Sequence, residues 1–187
     1  MHKWLFGLLL LSLPLDASAQ LAPHISVFGG YTYVHANYTG SDTGFSLNGW
    51  DASLEVKPLP FLGFVADLGK QYGSSNGLRE NQTSFLAGPQ LSVPGIKGVI
   101  PYGHVMVGVI HGPNASFVYC PDIGPFPCPV PQTSNAFATA VGGGVDIKVK
   151  GPIWIRAAQV DWVHSNLNVD HHNQWRLATG IVIRFGK

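Results

Sequence analysis

Hydrophobic and polar residues alternate along most of the chain after Ala22, in segments separated by turn-forming residues. Alternation with a period of two places one type of residue on each face of a β-strand. We find no convincing helical period in this part of the sequence. The pattern therefore predicts eight strands, over residues 24–35, 47–57, 61–72, 82–93, 99–111, 136–149, 153–164 and 174–185.

The connections between these strands alternate in length. Three are short turns, at residues 58–60, 94–98 and 150–152, and four are longer and polar, at residues 36–46, 73–81, 112–135 and 165–173. Short turns at one end and long loops at the other are typical of outer-membrane barrels, and strands of about ten residues are long enough to cross a bilayer with a tilt. The predicted fold class is therefore all-β, an eight-stranded antiparallel up-and-down transmembrane β-barrel.

The two faces of the strands differ in chemistry. One face is aliphatic and aromatic, and the other carries Gly, Ser and most of the strand charges. Only 11% of the 187 residues are charged, against about 25% in soluble domains, which favours a lipid-facing surface. The net charge of +1 does not indicate the strongly basic surface that is typical of nucleic-acid-binding proteins. Aromatic residues near the strand ends predict an outer girdle (Tyr33, Trp50, Tyr72, Trp162, Trp175) and an inner girdle (Phe61, Tyr102, Trp154, Phe185).

Charged residues on the polar face are expected to line the barrel interior. Side chains fill the lumen of an eight-stranded barrel, and charges removed from water must pair or form hydrogen bonds. We therefore predict a pairing network that plugs the lumen, and a selective pore is the alternative. The predicted members of the pairing network are Asp51, Glu55, Lys57, Asp67, His104, Asp146, Lys148, Asp161, Arg176 and Arg184. Arg156 has the opposite parity to Asp161, so only a β-bulge would place both inside; otherwise Arg156 lies at the inner interface.

The N-terminal residues have the features of a secretory signal peptide. Lys3 precedes the apolar run 4–13, and small residues follow at 17–19. The apolar run is shorter than the roughly 20 residues that a helix needs to span a bilayer, although a retained anchor is the alternative. We expect residues 1–19 to be a signal peptide and residues 20–187 to form one outer-membrane β-barrel domain.

The longest predicted loop, at residues 112–135, contains both cysteines of the chain. Cys120 and Cys128 are expected to form a disulfide in an oxidising compartment, with free thiols as the alternative. Loops on rigid scaffolds often carry binding, so this loop is the predicted recognition element. Its candidate contact residues are Phe117, Tyr119 and Phe126. The alternative is that these three rings pack against one another and stabilise the loop.

Four segments resemble the small outer-membrane β-barrel superfamily, of the kind formed by the transmembrane domain of outer membrane protein A. They are VFGGYTYV (27–34), NGWDASLEVKP (48–58), AFATAVGGGVDIKV (136–149) and LATGIVIRFG (177–186). The last segment resembles the family's assembly signal, which ends in an aromatic residue, here Phe185. The resemblance implies the bacterial outer membrane as location, and outer-membrane lipid, lipopolysaccharide and the barrel-assembly machinery as partners. Neither a cofactor nor a nucleic acid is expected.

Enzymes occur on the same scaffold, and the segment His164-Ser165-Asn166 is similar to the His-x-Ser-Asn motif of lipid A deacylases. A base and a nucleophile two residues apart share one face of a strand, whereas adjacent residues lie on opposite faces. We therefore expect no catalytic residues. A metal site in the last outer loop is only weakly indicated. Its residues would be His164, Asp170, His171 and His172.

These observations together predict an integral outer-membrane protein with a structural or surface-display role. Its outer loops are the expected site of adhesion or ligand binding. Three alternatives remain open at this point: a narrow pore, a lipid-modifying hydrolase on the same scaffold, and a soluble exported β-sandwich or lipocalin-like carrier.

Overall fold

The computed structural model describes residues 24–37, 44–75, 78–93, 97–119, 127–166 and 172–186. It contains eight strands: β1 (His24–Asn37), β2 (Gly44–Lys57), β3 (Leu62–Ser75), β4 (Leu78–Ser92), β5 (Val99–Tyr119), β6 (Pro127–Lys150), β7 (Ile153–Ser165) and β8 (His172–Phe185). Each strand is antiparallel to its neighbours, and pairing of β1 with β8 closes the barrel. The predicted eight-stranded antiparallel up-and-down barrel is confirmed. The expected signal peptide lies outside the described residues and stays a prediction.

Alternation along each strand separates an outer wall from the lumen. On β2, Trp50 and Leu54 are exposed on the outer wall, whereas Asp51, Ser53 and Glu55 are buried inside. The same sorting holds on all eight strands, so that the exposed wall is apolar and the buried interior is largely polar. This arrangement is the reverse of a soluble barrel and is that of a barrel surrounded by lipid. In the described part of the chain, no helix has the length and apolarity needed to cross a membrane.

Short turns join the strands at the inner end of the barrel. Gly98 and Gly151 have φ angles of +79° and +56° in two of these turns, a backbone region that glycine enters without steric cost. The exposed rings of Phe61 and Phe185 lie at this end of the outer wall, and those of Trp50, Tyr72, Trp162 and Trp175 lie towards the other end.

Two members of the predicted inner girdle are placed differently. Tyr102 is buried in the lumen, where its hydroxyl donates a hydrogen bond to Gln159 at 2.9 Å. Trp154 is half-buried and packs inside against Phe28, Ala178 and Val182. Tyr102 lies two residues from lumen-facing His104 on β5, so the period-two pattern itself places its ring inside.

A β-bulge in β7 resolves the parity of Arg156 and Asp161. Arg156 lies opposite Gly180 of β8 and Gln159 lies opposite Ala178, so β7 has one extra residue between them. The adjacent residues Ala157 and Ala158 are both exposed, which interrupts the alternation. Both Arg156 and Asp161 are consequently buried in the lumen.

The predicted loop at 112–135 is mostly strand, which corrects the sequence-based interpretation. β5 and β6 stay paired as far as Tyr119 opposite Pro127. Three prolines, at 127, 129 and 131, made this segment look like a loop. Residues two apart direct their N–H groups to the same edge, so these prolines remove donors from one edge of β6 only. An edge strand accepts proline in this way.

Candidate functional site

The lumen holds a cluster of charges around Arg176 of β8. Its guanidinium donates hydrogen bonds to Asp67 Oδ1 at 2.6 Å from Nη1, and to Asp161 Oδ2 at 2.7 Å from Nη2. Asp51 Oδ2 lies 3.5 Å from Arg176 Nη1. All four side chains are almost fully buried. One arginine thus holds together carboxylates from β2, β3 and β7.

Strand register explains why these groups meet. Asp161 and Arg176 are direct cross-strand partners, and Gly142 is the partner of Asp161 on its other side. A Cβ atom at Gly142 would clash with the Asp161 carboxylate and with the backbone of Val160. Glycine at this position therefore gives the carboxylate the room that it needs to reach the barrel axis.

Asp161 is also the acceptor of two further contacts. His104 Nε2 lies 2.8 Å from Asp161 Oδ1, and Gln159 Nε2 donates to Asp161 Oδ2 at 2.7 Å. Gln159 Oε1 in turn accepts hydrogen bonds from Arg156 and Tyr102, at 2.6 and 2.9 Å. Gln159 therefore links the Arg176 cluster to a second cluster nearer the inner end.

The second cluster is centred on Asp146. Arg156 Nε donates to Asp146 Oδ1 at 3.0 Å, and Arg184 Nη2 donates to Asp146 Oδ2 at 2.7 Å. The guanidinium of Arg156 also lies over two rings, 4.2 Å from the centroid of Phe28 and 4.7 Å from that of Tyr102. Such stacking suits the planar, weakly hydrated guanidinium.

A third contact joins Glu55 to Lys57 at 3.2 Å, and Gln90 donates to Glu55 at 2.6 Å. The described lumen thus contains five carboxylates against four Lys and Arg side chains. His104 supplies a fifth positive charge when its imidazole is protonated. The carboxylates are Asp51, Glu55, Asp67, Asp146 and Asp161, and the bases are Lys57, Arg156, Arg176 and Arg184.

Lys148 is the predicted lumen residue that the structure places elsewhere. Its side chain is exposed at the inner mouth of the barrel, where Nζ lies 5.9 Å from the centroid of the Trp154 ring. Lys148 lies close to the end of β6, and the register of β6 with β7 shifts between Lys148 and Lys150. Water at the mouth solvates the ammonium, so it needs no buried partner.

Sequence analysis missed the amides that complete the network. Gln82 and Gln174 are buried and exchange hydrogen bonds of 3.0 and 3.2 Å across the lumen. Beside them, an internal cavity of about 10 Å³ is large enough for about one water molecule. The buried glutamines are Gln71, Gln82, Gln90, Gln159 and Gln174. Gln71, Gln159 and Gln174 share a face with charged residues on their strands, and Gln82 and Gln90 share the polar face of β4 with Ser84, so parity was the signal available.

The outer end of β5 and β6 forms a hairpin that extends beyond the barrel wall. β4 pairs with β5 only as far as His111, and β7 pairs with β6 only from Ala138. Residues 112–119 and 127–134 therefore pair with each other alone. Among the predicted contact and disulfide residues, Cys120 and Phe126 lie outside the described residues. For Phe117, Tyr119 and Cys128 the structure describes the backbone, so the disulfide and the contacts stay predictions.

Among the residues considered for chemistry, His164 and Ser165 lie on opposite faces of β7. His164 is half-buried on the outer side, where Nδ1 lies 2.9 Å from Asn173 Oδ1, whereas Ser165 is buried in the lumen. Asp170 and His171 lie outside the described residues. Within the described ranges, no group of three or more His, Cys, Asp and Glu residues is arranged to hold a metal ion.

A closed eight-stranded barrel with an apolar wall, a filled polar lumen and a long outer hairpin defines this chain as a small transmembrane β-barrel. No protein-family model and no curated protein matches the sequence. Solved structures do match it. The attachment invasion locus protein Ail of Yersinia pestis is 16% identical, with a TM-score of 0.58 over 88% of this chain and all of that chain.

Two further structures have the same architecture. Neisserial surface protein A is 14% identical, with a TM-score of 0.60 over 86% of this chain and 97% of that chain. The outer membrane protein OprG of Pseudomonas aeruginosa is 13% identical, with a TM-score of 0.50 over 89% of this chain and 98% of that chain. The chain therefore shares the fold of small outer-membrane barrels.

Proposed function

We propose that this protein is a non-enzymatic integral outer-membrane barrel that displays the β5–β6 hairpin for adhesion or ligand binding. The observation that carries the proposal is the length of β5 and β6, which have 21 and 24 residues against 13–15 in the other strands. The eight residue pairs from Gly112 to Tyr119 extend the hairpin by roughly 25 Å along the strands. The paired part of the hairpin therefore extends well beyond the last residues that pair with β4 and β7.

The barrel acts in this proposal as a rigid anchor. Buried side chains cross the lumen at several levels, from the Asp146 cluster through the Arg176 cluster to the Gln82–Gln174 pair. A narrow pore would need a continuous path past these groups. The filled lumen therefore supports a plug rather than a channel, and a plugged barrel leaves recognition to the outer surface.

The composition of the hairpin indicates the kind of contact it makes. Residues 112–135 contain no Lys or Arg, one Asp, three Phe or Tyr, and six Pro. Ail was crystallised in complex with the heparin analogue sucrose octasulfate. A sulfated ligand would find no cationic side chain in this hairpin, so we expect binding through aromatic and apolar contacts to a protein or an uncharged glycan.

The test compares the full protein with a variant in which residues 113–133 are replaced by Asn-Gly, a two-residue hairpin turn. Both proteins are displayed on cells and assayed against immobilised laminin, fibronectin, collagen and an array of uncharged and sulfated glycans. We expect the full protein to bind a protein or an uncharged glycan. We expect the shortened variant to lose this binding while keeping its folded gel mobility. Binding in the full protein should change little between low and high salt.

Two results would contradict the proposal. One is equal binding by both proteins, which would assign recognition to another loop. The other is the absence of binding to any immobilised target together with ion conductance in planar bilayers, which would favour the pore.

A further inference from the structure

Lys70 is an unusual residue on the outer wall of the barrel. Its neighbours on β3 alternate, with Leu68 and Tyr72 exposed outside and Gly69 and Gln71 buried inside, so Lys70 lies on the wall itself. Its Nζ lies 5.6 Å from the centroid of the Tyr72 ring. Every other Lys, Arg, Asp or Glu whose side chain the structure describes lies in the lumen or at the inner end.

Lys70 lies at the level of the outer aromatic girdle. Its cross-strand partner on β2 is Trp50, and both Trp50 and Tyr72 are exposed on the same wall. Aromatic residues of this kind lie where the strands meet the lipid headgroups. The ammonium of Lys70 is therefore at the height of the headgroup phosphates of the outer leaflet.

An apolar groove of about 280 Å³ lies in the outer wall and reaches Leu68, two residues from Lys70 towards the inner end. The groove exists because small residues interrupt a wall of bulky ones: Ala52 and Ala66 lie on adjacent strands, and a Cβ atom at neighbouring Gly29 would contact nothing within 4 Å. Its lipid-facing lining consists of Val27, Ala52, Leu54, Ala66, Leu68 and Phe85.

The groove and Lys70 follow one another along β3 in the same order as the acyl chain and the headgroup of a lipid in the outer leaflet. Leu68 lines the groove, and Lys70 lies two residues further along β3 towards the outer end, a distance of roughly 7 Å along the strand. The groove thus runs from the outer girdle towards the middle of the bilayer. A phosphate against Lys70 would leave the acyl chain below it facing the groove.

We propose that Lys70 and this groove form a binding site for an anionic lipid of the outer leaflet, with its phosphate paired to Lys70 and one acyl chain in the groove. Charge complementarity favours a lipid over a second copy of the chain. The described part of the outer wall offers no Asp or Glu that would pair with Lys70 across a dimer interface. An anionic headgroup supplies that charge at the correct height. The site depends on the barrel wall and is independent of the hairpin.

The experiment measures lipid retention by native mass spectrometry of the folded protein released from detergent. The probes are bisphosphorylated lipid A, its dephosphorylated form and inorganic phosphate. The Lys70→Gln variant is expected to bind lipid A roughly fivefold more weakly, the factor that one lysine contributes near an anionic membrane surface. Ala66→Phe, which fills the groove, should weaken the binding of both the phosphorylated and the dephosphorylated form of lipid A. The matched controls Lys97→Gln, in an inner turn, and Val141→Phe, on the wall of β6, should bind like the unaltered protein.

Several outcomes would overturn the site. The first is an equal affinity of the Lys70→Gln and Lys97→Gln variants for lipid A. The second is binding of inorganic phosphate as tight as that of lipid A, because the groove would then contribute nothing. The third is a dimer that Ala66→Phe abolishes, because the groove would then hold a second copy. If the hairpin-shortened barrel still binds lipid A, the lipid site stands independently of the function proposed for the hairpin.

Discussion

Arg176 has the largest number of charged partners among the buried side chains of the lumen. It contacts Asp51, Asp67 and Asp161, which come from three different strands. Each carboxylate lies away from bulk water, so its negative charge is tolerated because the guanidinium lies beside it, and Gln159 donates a further hydrogen bond to Asp161. Pairing across the lumen thus ties β2, β3, β7 and β8 together from inside, in addition to the ladder hydrogen bonds of the wall.

Replacing Arg176 by Met is expected to lower the free energy of unfolding by about 3–5 kcal/mol, because it leaves buried carboxylates without their cation. Urea-induced unfolding in lipid vesicles measures this change. The matched control, Lys148→Met, removes an exposed charge at the inner mouth and should change the free energy by less than about 0.5 kcal/mol. Adding Asp67→Asn and Asp161→Asn to the Arg176→Met variant should recover part of the loss. Equal midpoints for the two single variants would contradict this account of the lumen.

Parity along the strands was sufficient to predict that Asp51, Asp67 and Arg176 face the lumen. It was not sufficient to predict which groups pair, because that depends on the stagger of strands around the closed barrel. Lys148 shows a second limit. It has the parity of a lumen residue, but its depth along the barrel places it in water, and depth is not encoded in the period-two pattern.

At the scale of elements, the β7 bulge shows how one extra residue sets the chemistry of the lumen. Without it, Arg156 and Asp161 would lie on opposite faces of the strand. The bulge at Ala157 and Ala158 turns the lower part of β7 so that Arg156 faces Asp146 and Gln159. Two small residues at this point let the backbone kink without a bulky side chain on the wall.

Deleting Ala158 is expected to prevent assembly of a stable barrel. A slip of one residue exchanges the two faces of a strand. The deletion would therefore either turn Arg156 and Trp154 towards the lipid or shift the upper part of β7 out of register. The readout is the fraction of protein that keeps folded mobility on an unboiled gel after refolding into vesicles. The control variants Ala157→Val and Ala158→Val keep the residue count and should refold. Refolding of the deletion variant to the same extent would show that the bulge is dispensable.

The outer half of the β5–β6 hairpin is the element that sequence analysis did not recover. Proline is among the strongest turn signals in a sequence, and residues 112–135 contain six prolines. The short apolar stretch at 115–119 carries too little alternation to outweigh them. Sequence analysis did place the boundary correctly where β5 leaves the barrel wall, near His111, because the alternating pattern ends there.

At the scale of the whole molecule, the defining property is the inversion of apolar and polar surfaces. The outer wall exposes large hydrophobic side chains on every strand, while the interior holds the charged and amide groups beside a smaller apolar cluster that includes Leu86, Met106 and Ile110. In water such a wall would be a large aggregation-prone surface. In a bilayer it is the favourable arrangement, since pairing of β1 with β8 closes the sheet and the strands leave no open edge within the barrel.

A charge placed on this wall should be costly only at membrane depth. Leu54 lies on the wall of β2, and Leu59 lies in the inner turn that follows, and both are exposed. Leu54→Arg is expected to lower the free energy of unfolding by about 2–4 kcal/mol, and Leu59→Arg by about 0–1 kcal/mol. Urea titration of the vesicle-inserted proteins gives both values. Similar costs at the two positions would mean that the wall of β2 is not within lipid.

The central claim is that this chain is a folded barrel embedded in the outer membrane. Envelope fractionation combined with gel migration of boiled and unboiled samples tests it most directly. We expect the protein in the outer-membrane fraction, with a mobility that changes on boiling because the closed barrel resists detergent until it is heated. Release of the protein with the soluble periplasmic fraction, with the same mobility before and after boiling, would contradict the account.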